Sequence, residues 1–335
     1  MLRERATRLQ AGRRGGGTVS VIRVGTRSSA LALAQTTTVA NRIANSSGSE
    51  VQIVPIVTHG DTSTDSLSSL GGTGVFASAL REALLNDECD LIVHSLKDLP
   101  TDAYPGLSLG ATPKRADARD VLCARSGFTL GTLPEGARVG TGSPRRVAQL
   151  LERRPDLTVV DIRGNIDTRL GRVVEGDLDA VVLAAAGLGR LGRLDAVKSE
   201  LLELSAWPTA PGQGALGIEV RSGQLDRVLA SALQAINHVS TEAVVSAERL
   251  VLARLEAGCA APIGATAVLD TGLFFLTATV YSPDGTRKIT SSHAATPDSH
   301  SAPHLHDAAQ DVSERVATDL LAGGAAEFAP LKVTT

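Results

Sequence analysis

The sequence predicts an α/β protein of two similar lobes followed by a small C-terminal α+β domain, and three observations carry that expectation. First, Asp90-Leu91-Ile92-Val93-His94-Ser95-Leu96-Lys97-Asp98-Leu99-Pro100 runs from an apolar stretch into a charged tip and stops at a proline. Its apolar part follows the helical spacing Phe76, Leu80, Leu84, as a parallel strand covered on both faces would. Second, the pattern repeats. Gly25-Thr26-Arg27-Ser28 is echoed by Gly140-Thr141-Gly142-Ser143, each after a strand and before a helix holding an Ala and a Gln. Asp90-Leu91-Ile92-Val93 is likewise echoed by Asp179-Ala180-Val181-Val182, and duplicated α/β lobes are the economical explanation. Third, the chain beyond residue 237 changes texture, with strand patterns between two long helical ones.

Taken in order, Val19 to Val24 reads as a strand, and Gly25 to Ser29 turns it into a helix starting near Ala30. Such a turn aims backbone N–H groups and a helix N-terminus at one spot, which suits an anion. The glycine spacing is not G-x-G-x-x-G, so no dinucleotide fingerprint is present. Val51 to Val57 is a second strand. Thr58 to Val75 has no apolar period and many Gly, Ser, Thr and Asp, which predicts a mobile flap over a cleft. Helix Phe76 to Asn86 and the Leu91 strand follow. Pro100 biases Leu99 toward extended backbone, leaving Ser95, Lys97 and Asp98 at the carboxyl end of a central strand, where open α/β sheets put their ligands. By themselves a Lys and an Asp there are explained equally well as an ion pair capping a turn.

Joints fall at Thr112 to Arg119 and at Ser205 to Gly214, and two crossings between one pair of lobes make a double hinge. In the second lobe Ser143 suits an N-cap and Pro144 a first helical position, placing Arg145 and Arg146 in the first turn. The macrodipole repels cations there, and residues so placed often serve a ligand. Strand Leu157 to Ile162 leads to Arg163-Gly164-Asn165, with Arg169 one turn into the next helix. Strand Asp179 to Leu183 leads to Ala186-Gly187-Leu188-Gly189-Arg190. Any one of these arginines could be a solvated surface group. Together with Arg27 they make a cleft ringed by guanidinium, the group that binds carboxylate bidentately.

Thr241 to Glu256 is an amphipathic helix with Gly258 as its C-cap and Cys259 directly after it. Cysteines are usually core fillers, but one on a Gly-flanked loop can also be a nucleophile or an attachment point. Strands near Ile263 to Leu269, Leu273 to Tyr281 and Lys288 to Ser292 precede a helix from about Pro303 to Leu321. His300, His304 and His306 flank a polar helix start, and no metal site is expected.

Composition narrows the function classes. The chain of 335 residues has room for two or three domains. Its net charge of −3 argues against a general polyanion binder, and 2% aromatic content leaves few stacking platforms for nucleic acid. Three cysteines, Cys89, Cys123 and Cys259, fit neither a paired framework nor metal spacing, which points to a reducing cytoplasm. No apolar run approaches a membrane span and no signal-peptide core follows Met1. Residues 1–17, with five arginines, read as a disordered basic leader.

Six motifs resemble one family: Gly25-Thr26-Arg27-Ser28-Ser29, Val93-His94-Ser95-Leu96-Lys97-Asp98-Leu99-Pro100, Gly140-Thr141-Gly142-Ser143-Pro144-Arg145-Arg146, Arg163-Gly164-Asn165, Pro211-Gly212-Gln213-Gly214-Ala215 and Gly258-Cys259-Ala260-Ala261-Pro262-Ile263-Gly264. In this order, from about Val21 onward, they are similar to the porphobilinogen deaminase family. The resemblance implies a hydroxymethylbilane synthase of tetrapyrrole biosynthesis. Such enzymes join four porphobilinogens head to tail, with loss of ammonia, onto a dipyrromethane held by a thioether to a loop cysteine, here Cys259. It also implies that the first lobe takes back the chain after the Gln-Gly motif. The expected domains are therefore 18–113 with 214–233, 117–207, and 237–335. Asp98 matches the catalytic acid. Lys97, Ser95, Thr141, Ser143, Arg145, Arg146, Arg169 and Gly187 are matched to the cofactor, and Arg27, Ser29, Arg163, Arg190 and Gln213 to the substrate. A monomer is implied, with hand-off of the product to uroporphyrinogen-III synthase. The stretch Leu67 to Gly74 departs from the family in having no lysine, and Pro144 and Gly189 stand where other residues are common.

The rival from another class is a non-catalytic two-lobed carboxylate-binding protein, since duplicated lobes with a double hinge are periplasmic-binding-protein-like. Such proteins are normally exported, and they have no use for Cys259.

Overall fold

The computed structural model describes residues 21–57, 74–195, 198–223, 225–257 and 261–331, with backbone alone at 74–76. The leader, most of the expected flap (58–73) and Cys259 lie outside the described residues. In chain order the elements are β1 (Ile22–Arg27), α1 (Ala30–Ser47), β2 (Val51–Ile56), α2 (Gly74–Leu85), β3 (Leu91–Ser95) and β4 (Leu107–Ala111). There follow β5 (Asp120–Ala124), β6 (Arg138–Gly140), α3 (Pro144–Arg153), β7 (Thr158–Val160), α4 (Ile166–Val174), β8 (Ala180–Ala184), α5 (Ala185–Arg190) and β9 (Ser199–Leu202). Last come β10 (Leu216–Arg221), α6 (Arg227–Ile236), α7 (Val239–Arg254), β11 (Ile263–Asp270), β12 (Leu273–Tyr281), β13 (Lys288–Ala295) and α8 (Ala302–Ala322).

Two compact units result, 1–114 with 216–238 and 115–215 with 239–335. The first holds a five-stranded sheet in the order β2-β1-β3-β10-β4, the second one in the order β7-β6-β8-β5-β9. The two orders are the same design. In each, the first three strands are parallel and the fourth runs antiparallel to both its neighbours. The chain leaves β4 for β5 and leaves β9 for β10, so each sheet receives its antiparallel strand from a crossing. The architecture is thus α/β with two like sheets, and the three antiparallel strands β11-β12-β13 add a small α+β domain with α7 and α8.

Side-chain alternation explains why the runs are strands. Leu91 and Val93 join the core under α1 and α6, while Ile92 points to the other face with Leu80 and Leu84 of α2. In the second sheet Leu122, Val182 and Ala180 face one core and Val121, Val181 and Leu183 the other. Burying one such side chain contributes roughly 1.5–3 kcal/mol. The repeated glycine has a packing reason: a Cβ on Gly25 would lie 2.8 Å from Cys89 Sγ and Ile92 Cγ2, and one on Gly140 2.7 Å from Leu178 Cδ1.

Candidate active site

In the first unit the repeat turn and the β3 tip meet. Arg27 ends β1, and Ser29 caps α1, its Oγ accepting from Ala32 N at 3.3 Å. β3 stops at Ser95, and Leu96–Asp98 form a 3-10 turn, so Lys97 and Asp98 stand just past the strand instead of on it. Arg27, Ser29, Gln35, His94, Ser95 and Asp98 line one pocket, floored by Leu80 and Val93. Asp98 is half-buried. Gln35, which sequence reading passed over, is buried and exchanges hydrogen bonds with Ser95, Nε2 to Oγ at 3.0 Å and Oγ to Oε1 at 3.2 Å. Its signal was the Gln common to both repeat helices.

Behind the pocket wall, Glu219 of β10 accepts Arg81 Nε at 3.0 Å and Nη2 at 2.8 Å. His94 Nε2 lies 3.0 Å from Glu219 Oε2, close enough for an ion pair but off the line of a good hydrogen bond. Burial alone would raise the Glu219 carboxyl, but the close approach of His94 and the hydrogen bonds and charge of Arg81 outweigh it and bring it down to about 2.

The second unit gathers the arginines. Arg145 and Arg146 are in the first turn of α3, as expected, yet both are buried, and both pair with Asp120, at 2.9 and 2.6 Å. Part of the compensation for their place at the cationic helix end is therefore internal. Ser143 occupies the N-cap position without a side-chain cap bond, contrary to the expected capping role. Its backbone N–H is held by Thr141 Oγ1 at 3.2 Å. Arg169 is half-buried and donates from Nε to the Gly164 carbonyl at 2.9 Å. Burial lowers its pKa, and the charges of Arg146 and Arg163 add to that, opposed by Asp161. Arg163 itself is exposed. Burial also lowers the pKa of Arg190, which donates to the Gly214 carbonyl at 2.8 Å. Gly187 is buried within α5. Gln213 is fully buried, its amide donating to Asp120 Oδ1 and to the Ala118 carbonyl, both at 2.8 Å.

Two family models match this chain: residues 22–228 match the porphobilinogen deaminase "dipyromethane cofactor binding domain", and residues 243–322 the porphobilinogen deaminase C-terminal domain. The chain belongs to the porphobilinogen deaminase family. Relatives of that name include one from Leifsonia xyli subsp. xyli, 66% identical over 93% of this chain and 95% of the relative. Another, from Cutibacterium acnes, is 50% identical over 94% and 99%. Among solved structures, substrate binding domain 2 of Lactococcus lactis GlnP is similar with a TM-score of 0.42 at 12% identity, over 66% of this chain and 90% of that one.

The family's cofactor domain implies dipyrromethane, and the residues fit it. Arg145 and Arg146 share the carboxylate of Asp120, and the charges of Arg146 and Arg163 both act on Arg169, opposed by Asp161. The Nε atoms of Arg145 and Arg146 are buried without a hydrogen-bond partner. A surplus of guanidinium with unmet donors is what a ligand rich in carboxylates requires. Among the described residues no helix is long and apolar enough to cross a membrane, and no cluster of metal ligands occurs.

Proposed function

We propose that this chain is a hydroxymethylbilane synthase, a transferase that condenses four porphobilinogen molecules onto a dipyrromethane bound through a thioether to Cys259 and then releases the linear tetrapyrrole. The observation that carries the reading is Asp98: a half-buried carboxylate in a pocket shared with Arg27, Ser29 and Ser95. Arg27 and Ser29 are suited to hold the acetate and propionate of one porphobilinogen, with Asp98 near its pyrrole N–H and aminomethyl group. Loss of ammonia breaks the substrate's C–N bond with electrons from the pyrrole nitrogen, leaving a cationic ring. A carboxylate about 4 Å away stabilises that cation by roughly 4 kcal/mol at an intermediate dielectric. In that step Asp98 gives its proton to the leaving amine, and as the carboxylate it then takes up the ring proton displaced when the new carbon–carbon bond forms, so the acid is reset at each turn. When bound, the dipyrromethane supplies the nucleophilic ring carbon on which the product grows.

Lys97, Ser95, Thr141, Ser143, Arg145, Arg146, Arg169 and Gly187 are assigned to the cofactor and its extensions, and Arg163, Arg190 and Gln213 to incoming substrate. Arginine stays protonated throughout, so these contacts need no resetting between additions. The non-catalytic anion-binder alternative is not favoured, because the family match extends across both the cofactor domain and the C-terminal domain. A cytoplasmic monomer that passes its product to uroporphyrinogen-III synthase completes the proposal.

The test is Asp98→Asn in cofactor-loaded protein. Turnover of porphobilinogen should fall by about 100-fold or more while the covalent mass of the cofactor stays in place. Near-normal turnover in the loaded variant would refute the assignment.

A further inference from the structure

Asp120 opens β5 and has no solvent exposure, yet the reaction described above gives it no task. Its oxygens are each doubly occupied. Oδ1 accepts Arg146 Nη2 at 2.6 Å and Gln213 Nε2 at 2.8 Å. Oδ2 accepts Trp207 Nε1 at 2.8 Å and faces Arg145 Nη1 at 2.9 Å. Each oxygen therefore takes one guanidinium and one donor from the segment 207–213. Burial alone would raise this carboxyl, but the charges of Arg145 and Arg146, with hydrogen bonds from Arg146 and Gln213, hold it well below the usual carboxylate range.

One carboxylate balances only one of two guanidiniums. Arg145 is 3% and Arg146 6% exposed, so the surplus positive charge is itself buried. Arg145 has a second anchor in Gln149 Oε1 at 2.6 Å, and Arg146 in the Val182 carbonyl at 2.9 Å. These acceptors fix the far ends of both side chains and leave each Nε unmatched. A buried ion pair kept for stability alone needs a single arginine, and a second one at the cationic end of a helix works against the fold. The surplus makes sense if a carboxylate ligand completes it.

We propose that Asp120 is a positioning residue for the arginine pair: it clamps one edge of Arg145 and Arg146 so that their remaining charge is offered to the carboxylates of the dipyrromethane, and Trp207, bonded to the same carboxylate, reports that engagement. The inference rests on the synthase reading. As the single tryptophan of the chain, Trp207 gives an emission signal that belongs to this cluster alone.

The experiment uses full-length protein made in cells that cannot produce porphobilinogen, which is then supplied. Covalent mass and Trp207 emission are followed together for the wild type and Asp120→Asn. Wild type should gain two linked pyrrole units, with the emission maximum shifting in step. Asp120→Asn, folded by circular dichroism, should load at least tenfold more slowly. A folded variant loading at the wild-type rate, or wild-type loading that leaves Trp207 emission unchanged, overturns the proposal. Should Asp120→Asn not fold, Trp207→Phe decides: it removes one bond to Oδ2 and keeps both ion pairs. The porphobilinogen concentration giving half-maximal covalent loading should rise several-fold with the maximal loading rate within twofold, and an unchanged half-maximal concentration overturns the proposal. Wild-type protein that gains no mass at all sinks the synthase reading itself, a result distinct from any failure confined to the variants.

Discussion

Asp98 and Glu219 are carboxylates with opposite surroundings in one unit. Glu219 is 5% exposed and gripped by Arg81, while Asp98 opens into the pocket with Arg27 and Ser29. In the proposed reaction Asp98 is the chemical carboxylate, and Glu219 braces Arg81 inside the unit. The sign for Glu219 follows from its depressed value. Folded, it titrates at about 2 instead of 4.5, so its contribution is complete above the ordinary value and is lost as pH falls through the folded one. That shift corresponds to about 3 kcal/mol. Urea titrations at successive pH values should show wild-type stability falling toward pH 2 and a shallower fall in Glu219→Gln; parallel slopes would contradict this. At the residue scale the sequence exposed Asp98, Arg27 and the arginine positions, because each sits in a local motif. It concealed Asp120, the partner of Arg145 and Arg146, because a charged residue opening an apolar run has no local mark and the fold alone brings it to the first turn of α3.

Among the elements, β3 was the most legible, since its continuous apolar run has a single reading once Pro100 closes it. β7 was less so: the apolar stretch Leu157 to Ile162 forms only Thr158–Val160 as strand, because Ile162 turns into the core beside Leu170 and Leu178 instead of continuing the ladder. The echo between Gly25 and Gly140 proved to be a packing requirement in two sheets of one design. The two positions differ in how they could absorb a methyl group. At Gly25 the obstacles are Cys89 Sγ and Ile92 Cγ2, short side chains buried at 0% exposure. At Gly140 they include the branch ends of Leu178 and Ile162, which have more freedom to rotate. Gly25→Ala should therefore destabilise by about 1–3 kcal/mol, and by more than Gly140→Ala, in equilibrium urea unfolding. Equal or reversed losses would count against this packing argument.

Across the whole molecule, each sheet takes its antiparallel strand from a crossing of the chain, through the segments 112–119 and 203–215. In the second unit they are bound to the C-terminal domain by one carboxylate. Glu248 of α7, with no exposure, takes a bidentate pair from Arg115 at 2.7 and 2.9 Å, along with Gly212 N at 2.7 Å and Ala267 N at 2.9 Å. Arg115→Ala would leave that carboxylate buried and uncompensated. The expected loss is about 3–5 kcal/mol in denaturant unfolding, and a loss under 1 kcal/mol would contradict the role given to the pair. This network was invisible in the sequence, where Arg115 and Glu248 are far apart and neither belongs to a recognisable motif. The synthase reading is most directly tested by intact mass under denaturing conditions, comparing active wild-type protein with Cys259→Ala. The expected result is an excess of two linked pyrrole units on the wild type and a bare, inactive chain for the variant. An active wild-type protein of unmodified mass, or the same excess persisting without the Cys259 thiol, would contradict it.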